Sequence, residues 1–369
     1  MAKNSVKTPL FHIAKRDPAS VKWYFGVIVR AIAILAALVV SGVLIMLLAD
    51  KDPVQIYIEM FKGVFGTERR VWNTLQDVAI LLCISLAVTP AFKMRFWNCG
   101  AEGQVLVGGL ATISVMLFLG DKMPLPLLVI IMIIASISAG IIWAVIPAVF
   151  KALWNTNETL FTLMMNYVAI QIVAWFLKVF AKNGSGVLQT MPQYGLPVIG
   201  GESFLGRQFL LNIIVVAVVT VLSYIYLKYS KQGYEISVVG ESENTAKYIG
   251  IGVKKVIIRT LIVSGAICGL AGLLIVGGTN HTISTTAVAG RGFTAIMVSW
   301  LAKFNPFIMA FTTFLVVFLS RGAHQISTTF NVPSSISDII TGIMLLFIIG
   351  CEFFLRYKIV LTKHTKEGN

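Results

Sequence analysis

Long apolar stretches alternate with short polar connections along most of the chain. Hydrophobic runs occupy Tyr24–Leu48, Val78–Phe92, Ala101–Leu119, Leu125–Phe150, Leu160–Phe180, Phe209–Leu227, Val256–Val276, Thr285–Ala302, Pro306–Leu319 and Ile336–Phe354. A helical crossing of the hydrocarbon core takes about 20 apolar residues, so most of these ten are long enough to span a bilayer. The second, eighth and ninth are short or interrupted by glycine, and the eighth carries Arg291, which is costly at the midplane. Hydropathy thus predicts eight to ten crossings and an all-α polytopic membrane protein of about ten transmembrane helices.

Composition sharpens that reading. Of the 369 residues, 57% are hydrophobic and 12% charged, against about 25% charged in an average soluble domain. A net charge of +14 would suggest nucleic acid only if the basic residues shared one solvated face. They are topological instead: with ten crossings and an inner amino terminus, 20 of the 30 basic residues fall on the cytoplasmic side, as the positive-inside rule requires. Even parity then puts both termini inside. Residues 1–23 read as a basic cytoplasmic arm whose longest apolar stretch is too short for a signal peptide. Residues 24–355 read as one transmembrane domain with a cytoplasmic segment at 234–256, and 356–369 as a cytoplasmic tail.

Between the first two runs, Val54, Ile58, Phe61 and Phe65 lie on one helical stripe. This predicts an amphipathic helix lying in the outer interface rather than a further crossing. The polar, Gly/Pro-punctuated stretch Ala181–Gln208 is read as an outer docking loop. Lys228–Lys255 is too polar to insert. Within it Gly240 and Gly250 bracket ESENTAKYI, a candidate short helix with Ser242 or Asn244 as its N-cap.

Catalytic chemistry is sparse. His12, His281, His324 and His364 are scattered over the arm, two outer loops and the tail, with no metal-ligand spacing. Neither a phosphate-binding P-loop nor a G-x-S-x-G nucleophile elbow is present. Cys83, Cys99, Cys268 and Cys351 show no paired spacing and imply no disulfide framework.

Two polar clusters sit at membrane depth. In FWNCGAEGQ, Asn98 is positioned to cap the third run, Glu102 falls in its first turn, where the helix dipole favours a carboxylate, and Gln104 adds a polar group that capping does not need. In NTNETLFTLMMNY, Asn155 and Glu158 fit an N-cap and its return partner. Glu158, Thr162 and Asn166 then recur every four residues as a polar stripe running into the bilayer. Such a stripe faces a partner helix or a water-filled path, not lipid. GAICG at Gly265–Gly269 is a G-x-x-x-G helix-packing signal.

The stretches TLQDVAILLCISLAVTPAFKMRFWNCGAEGQVLVGG, NETLFTLMMNYVA, GESENTAKYIGIGV and GFTAIMVSWLAKFNPF resemble the permease subunits of bacterial ABC importers for nucleosides and simple sugars, in the larger set that includes the ribose and branched-chain amino acid permeases. The resemblance spans about Asn73 to Phe354. Cys99 departs from it, standing where the family usually has an aliphatic residue.

That resemblance implies a fold like the vitamin B12 importer's, a type II importer with about ten helices per subunit. It implies a second paralogous permease that pairs with this chain as a heterodimer, a cytoplasmic ATPase with two nucleotide-binding domains that holds the ATP and magnesium, and an outer substrate-binding protein or lipoprotein. This chain itself would carry no cofactor, perform no covalent chemistry and bind no nucleic acid, and it would sit in the bacterial cytoplasmic membrane in contact with lipid. Gly240, Glu241, Asn244, Ala246, Tyr248, Gly250 and Ile251 take the role of coupling segment toward the ATPase. Asn98, Glu102, Gln104, Glu158, Thr162, Asn166 and Trp300 are the expected lining of the translocation path. Nucleosides are the expected substrate, with a pentose or a branched-chain amino acid as alternatives. An ion-coupled secondary nucleoside transporter is the rival mechanism, for which only Glu102 and Arg291 approach the required intramembrane charges.

Overall fold

The computed structural model describes residues 11–15, 23–49, 52–181, 185–197, 209–331 and 333–361. Most of the basic arm, residues 198–208 of the outer loop and the tail beyond 361, with His364, lie outside the described residues. The chain divides into two compact units, 64–318 and a second made of 1–63 with 319–369.

In chain order the elements are β1 (Phe11–Lys15), α1 (Trp23–Ala49), α2 (Pro53–Phe65), α3 (Glu68–Lys93), α4 (Ala101–Leu119), α5 (Leu125–Trp154), α6 (Glu158–Phe180), β2 (Val187–Gln189), α7 (Leu210–Tyr229), α8 (Lys231–Glu241), α9 (Glu243–Tyr248), α10 (Val253–Ile275), β3 (Thr282–Ser284), α11 (Arg291–Leu301), α12 (Pro306–Phe330), α13 (Ser334–Arg356) and β4 (Tyr357–Leu361). Among the described residues seven helices are long and apolar enough to cross a membrane: α3, α4, α5, α6, α7, α10 and α12. α1 adds 27 residues with Arg30 as its one charge, and α13 adds 23.

The eighth apolar run departs from expectation. It is not a full span, because only Arg291–Leu301 is helical; 11 residues rise about 16 Å, half of a ~30 Å hydrocarbon core. The ninth is longer than its hydropathy suggested, and α12 takes His324 into a helix, not an outer loop. The second run extends to 26 residues, Thr67 capping it by accepting the Arg70 N–H.

Three helices form the centre of the larger unit, and small residues explain why. Gly265 and Gly269 of α10 lie so close to α5 that a β-carbon would fall 2.5 Å from the Gly140 carbonyl oxygen and 2.2 Å from that of Ser136. Gly272 meets α4 in the same way, at 2.4 Å from the Val105 carbonyl oxygen. Without a solvent-driven force between helices in lipid, close backbone approach of this kind supplies the packing, so the G-x-x-x-G signal is structural.

The smaller unit pairs α1 with α13, burying Ala37 and Ser41 on one and Ile340, Met344 and Cys351 on the other. β1 and β4 run antiparallel, Phe11 opposite Leu361 and Lys15 opposite Tyr357. The amphipathic stripe of α2 is as expected: Val54, Ile58, Phe61 and Phe65 are exposed while Ile56, Met60 and Val64 are buried.

Candidate functional site

The polar clusters of the sequence meet where the chain turns from α3 into α4. After Lys93 the backbone leaves the helix for seven residues, with Arg95 in the left-handed region at φ 61°. Such backbone is tolerated at membrane depth only inside protein or beside water. Here it is satisfied from α6. The Asn166 Oδ1 accepts the Gly103 N–H at 2.9 Å, and its Nδ2 donates to the Cys99 carbonyl at 2.8 Å. The Thr162 hydroxyl oxygen accepts the Cys99 N–H at 3.2 Å. Asn98 spans three groups: its amide nitrogen donates to the Ser264 hydroxyl of α10 at 3.2 Å, and its Oδ1 accepts from Gly100 N–H and Gln104 Nε2.

Asn98, Gln104, Thr162 and Asn166 are all buried. The stripe therefore faces a partner helix, α4, and not an open path in this structure. Gly103 is required for that contact, since a β-carbon there would stand 2.9 Å from the Asn166 Oδ1. The α4 start itself is uncapped by a side chain at Gly100, so Asn98 supports the turn before the helix instead of capping it.

Two capping expectations are corrected at the α5–α6 corner. Asn155 does not start α6; it ends α5 in the left-handed conformation, φ 51°, and Asn157 is the N-cap, accepting the Leu160 N–H at 3.1 Å. Glu158 is consequently no return partner. Its carboxylate pairs with Lys151 at 2.9 Å.

Glu102 holds the half-length helix. Its two carboxylate oxygens accept the N–H groups of Gly290 at 2.8 Å and Gly292 at 2.7 Å, two of the donors that the first turn of α11 leaves without intrahelical partners. The intervening Arg291 reaches Asp77 on α3 at 2.8 Å. From there α11 runs alongside α3, ending with the Ser299 hydroxyl 2.8 Å from that of Thr89. The next residue, Trp300, stacks on Trp97.

A separate element closes the other polar region. α8, starting at Ser230, whose hydroxyl accepts the Gly233 N–H at 2.9 Å, continues through Gly240 to Glu241, so Gly240 is not a break. It permits contact: a β-carbon there would be 2.2 Å from the Lys93 carbonyl oxygen. Ser242 caps α9 by accepting the Thr245 N–H, as expected. α9 then ends at Gly250, φ 84°, with Ile251 N–H donating to the Ala246 carbonyl and Gly250 N–H to that of Lys247. This is the paired bonding of a Schellman motif, which a glycine in the left-handed region allows.

Ile236, Val239 and Ala246 bury against Ala91, Met94 and Phe96 before α4, Ala144 and Ala148 on α5, and Val256, Ile257 and Leu261 on α10. Arg259 of α10 pairs with Glu235 of α8 at 2.6 Å. Ala246, the buried residue of the expected coupling segment, is thus the anchor of α9. Tyr248 is 92% exposed, and Glu241, Asn244 and Ile249 are exposed beside it.

Residues 70–349 match the model of the branched-chain amino acid transport system permease component family. The chain belongs to this family. Similar proteins include the guanosine ABC transporter permease protein NupP of Bacillus subtilis, 29% identical over 94% of this chain and 99% of that one. The glucose ABC transporter permease protein TsgB13 of Haloferax volcanii is 29% identical over 92% and 90%, and the nucleoside ABC transporter permease protein NupB of Lactococcus lactis is 27% identical over 89% and 92%.

For a multi-pass permease, the surface that sequence reasoning missed is the other face of α6. Met164, Tyr167, Gln171 and Trp175 form an exposed stripe, offset around the helix from the buried one. The signal was Gln171, an amide in an otherwise apolar stretch that lies outside the four-residue repeat of Glu158, Thr162 and Asn166. Asp77 was missed as the partner of Arg291 because the two are 214 residues apart.

Proposed function

We propose that this permease is the membrane subunit of an ATP-driven importer of nucleosides. The observation that carries the ATP-driven part is the α8–α9 element. It is a polar projection whose apolar residues lock it to α3, α5 and α10 and whose exposed tip is Tyr248, Ile249 and Asn244. A rigid knob anchored to three spans can convey a push from a separate ATPase into helix tilts, the bistable movement that alternating access needs. ATP and magnesium belong to that partner chain.

The substrate reading draws on the guanosine and nucleoside permeases that align over nearly the whole chain. The glucose permease, aligned almost as completely, favours a sugar as the second reading. The exposed amide of Gln171, together with Tyr167, is the best-supported path or permease-partner surface, since an amide facing lipid in mid-span is costly. A second permease subunit would meet this chain there, and an outer binding protein would deliver substrate.

In this reading β3, the turns at 285–290 and α11 together make one crossing. Nine long helices plus that composite give ten, with both termini and the α8–α9 knob in the cytoplasm of a bacterial cell. The test is ATP-dependent uptake by proteoliposomes holding the permease purified in mild detergent with the chains that accompany it. Labelled guanosine and uridine should accumulate with ATP and not with an ion gradient alone, and Tyr248→Ala should uncouple ATP hydrolysis from uptake. Gradient-driven uptake would establish the secondary-transporter alternative. Accumulation of glucose in preference to nucleosides would establish the sugar reading.

A further inference from the structure

Trp97 and Trp300 stack with ring centroids 5.7 Å apart and planes at 28°, yet they remain 46% and 42% exposed. Phe92, buried behind them, sets its ring edge-on to both, at 5.7 Å and 75° to Trp97 and 6.4 Å and 77° to Trp300. Phe304 packs edge-on against Trp300 at 5.6 Å and 64°. The two indoles come from unrelated segments. Trp97 is carried by the non-helical turn before α4, and Trp300 by the end of α11, followed directly by Lys303 and Phe304 in the left-handed region at φ 51° and 61°.

Two features separate this pair from aromatic residues that merely anchor a helix end at a membrane interface. Interfacial anchors stand on helix termini, each with its own solvated tip. Here one member sits on irregular backbone, which is tolerated at membrane depth only inside protein or beside water, and Trp97 is built into the buried polar corner, its carbonyl accepting from the Thr162 hydroxyl, while its ring stays half-exposed. The pair is also preorganised: Phe92 and Phe304 fix both rings before any ligand arrives, so little ordering cost falls on binding.

We propose that the outer face of Trp97, with Trp300 stacked behind it, is a stacking platform for the base of a nucleoside in transit. Every nucleobase has a π-face, so stacking holds pyrimidines and, through their larger ring, purines more strongly, without hydrogen-bond readout. A contact that is favourable but weak lets a substrate enter the site and leave it, as conduction requires. The inference rests on the nucleoside reading above and assigns that substrate its contact residues.

The test uses the intact transporter in proteoliposomes, with guanosine and uridine at concentrations well below saturation. Trp300→Ala and Trp97→Ala should each lower guanosine uptake about tenfold and lower uridine uptake less, because the smaller ring overlaps the platform less, so that the purine-to-pyrimidine ratio falls. Trp300→Phe should restore most of the loss. A variant that only loosened the fold would reduce both nucleosides equally and would also lower ATPase activity.

Photolabelling of the unaltered complex with 8-azidoguanosine gives a readout that needs no variant, and label should appear on the peptides holding Trp97 or Trp300. Label found only elsewhere, or alanine variants that keep the purine-to-pyrimidine ratio, overturns the platform and means the pair faces lipid or a partner helix. Failure of the unaltered complex to carry any nucleoside overturns the platform and the nucleoside reading together. Normal nucleoside uptake by the alanine variants overturns the platform alone.

Discussion

Asn166 and Gly103 join α6 to α4 through a side chain and a backbone amide: the Asn166 Oδ1 accepts the Gly103 N–H at 2.9 Å. That amide lies in the first turn of α4, where no carbonyl within the helix can receive it. The asparagine stands in for the missing turn, and its Nδ2 secures the incoming strand at the Cys99 carbonyl.

Asn166→Leu keeps the volume and removes both functions. It leaves a buried N–H and a buried carbonyl unpaired, a loss of about 1–3 kcal/mol for each unsatisfied group, though bonds between membrane helices measure nearer ~0.6 kcal/mol. The expected outcome is a lower melting temperature and poorer assembly of the purified permease, with any fall in uptake matched by the fall in assembled protein. A stable, fully assembled Asn166→Leu complex that has lost only uptake would show that the residue faces the path.

Glu102 acts on α11 rather than on its own helix alone. Glu102→Gln replaces one acceptor oxygen by an NH2 group that would face the Gly290 or Gly292 N–H, donor against donor. The first turn of α11 should loosen, seen as faster hydrogen exchange at 290–294 than in the parent protein, while amides in α5 keep their protection. Unchanged exchange at these positions would show that the carboxylate does not hold the helix.

Sequence pattern showed the apolar runs, the α2 stripe, the Ser242 cap, the glycine seam and the family resemblance, because each is local or depends on residue size at fixed spacing. It did not show which side of α6 is buried. Glu158, Thr162 and Asn166 look the same whether they face water or a helix start, and only the non-helical turn at 94–100, satisfied from 63 to 67 residues away, decides between them. α11 was read as part of a longer span for a related reason: Thr285–Ala302 is apolar enough to be helical throughout, but its first part, 285–290, is held in turns.

The α5–α10 seam sets a steric limit. Gly269→Val would place its first side-chain carbon within 2.2 Å of the Ser136 carbonyl, and both neighbours are backbone that cannot move aside alone. Overpacking of this sort costs about 1–3 kcal/mol or more. The variant should be recovered from membranes at much lower yield and melt earlier. Gly250→Ala makes a useful contrast, because nothing lies within 4 Å of its β-carbon position and its cost comes only from φ 84°; it should assemble, with a loosened α9 end.

His281 supplies a pH test at the β2–β3 end of the molecule. Burial pushes its pKa below the ordinary value of 6.5, and its Nδ1 has no partner among the described residues. The ring packs on Gly195, where a β-carbon would fall 2.2 Å from its Cε1, while its carbonyl accepts the Thr190 N–H at 3.0 Å. Because the folded ring binds a proton less readily than an unfolded one, stability is fully present above about pH 6.5 and falls as pH drops below it. Residues 187–196, held to this corner by β2–β3 pairing and by the Leu196 N–H to the Gly277 carbonyl at 2.8 Å, should therefore lose hydrogen-exchange protection at pH 5.5 relative to pH 7.5, after correction for intrinsic rates. His281→Asn keeps a residue that tolerates the left-handed φ of 51° and cannot titrate, so its protection should not step with pH. A step of the same size in that variant would place the titrating group elsewhere.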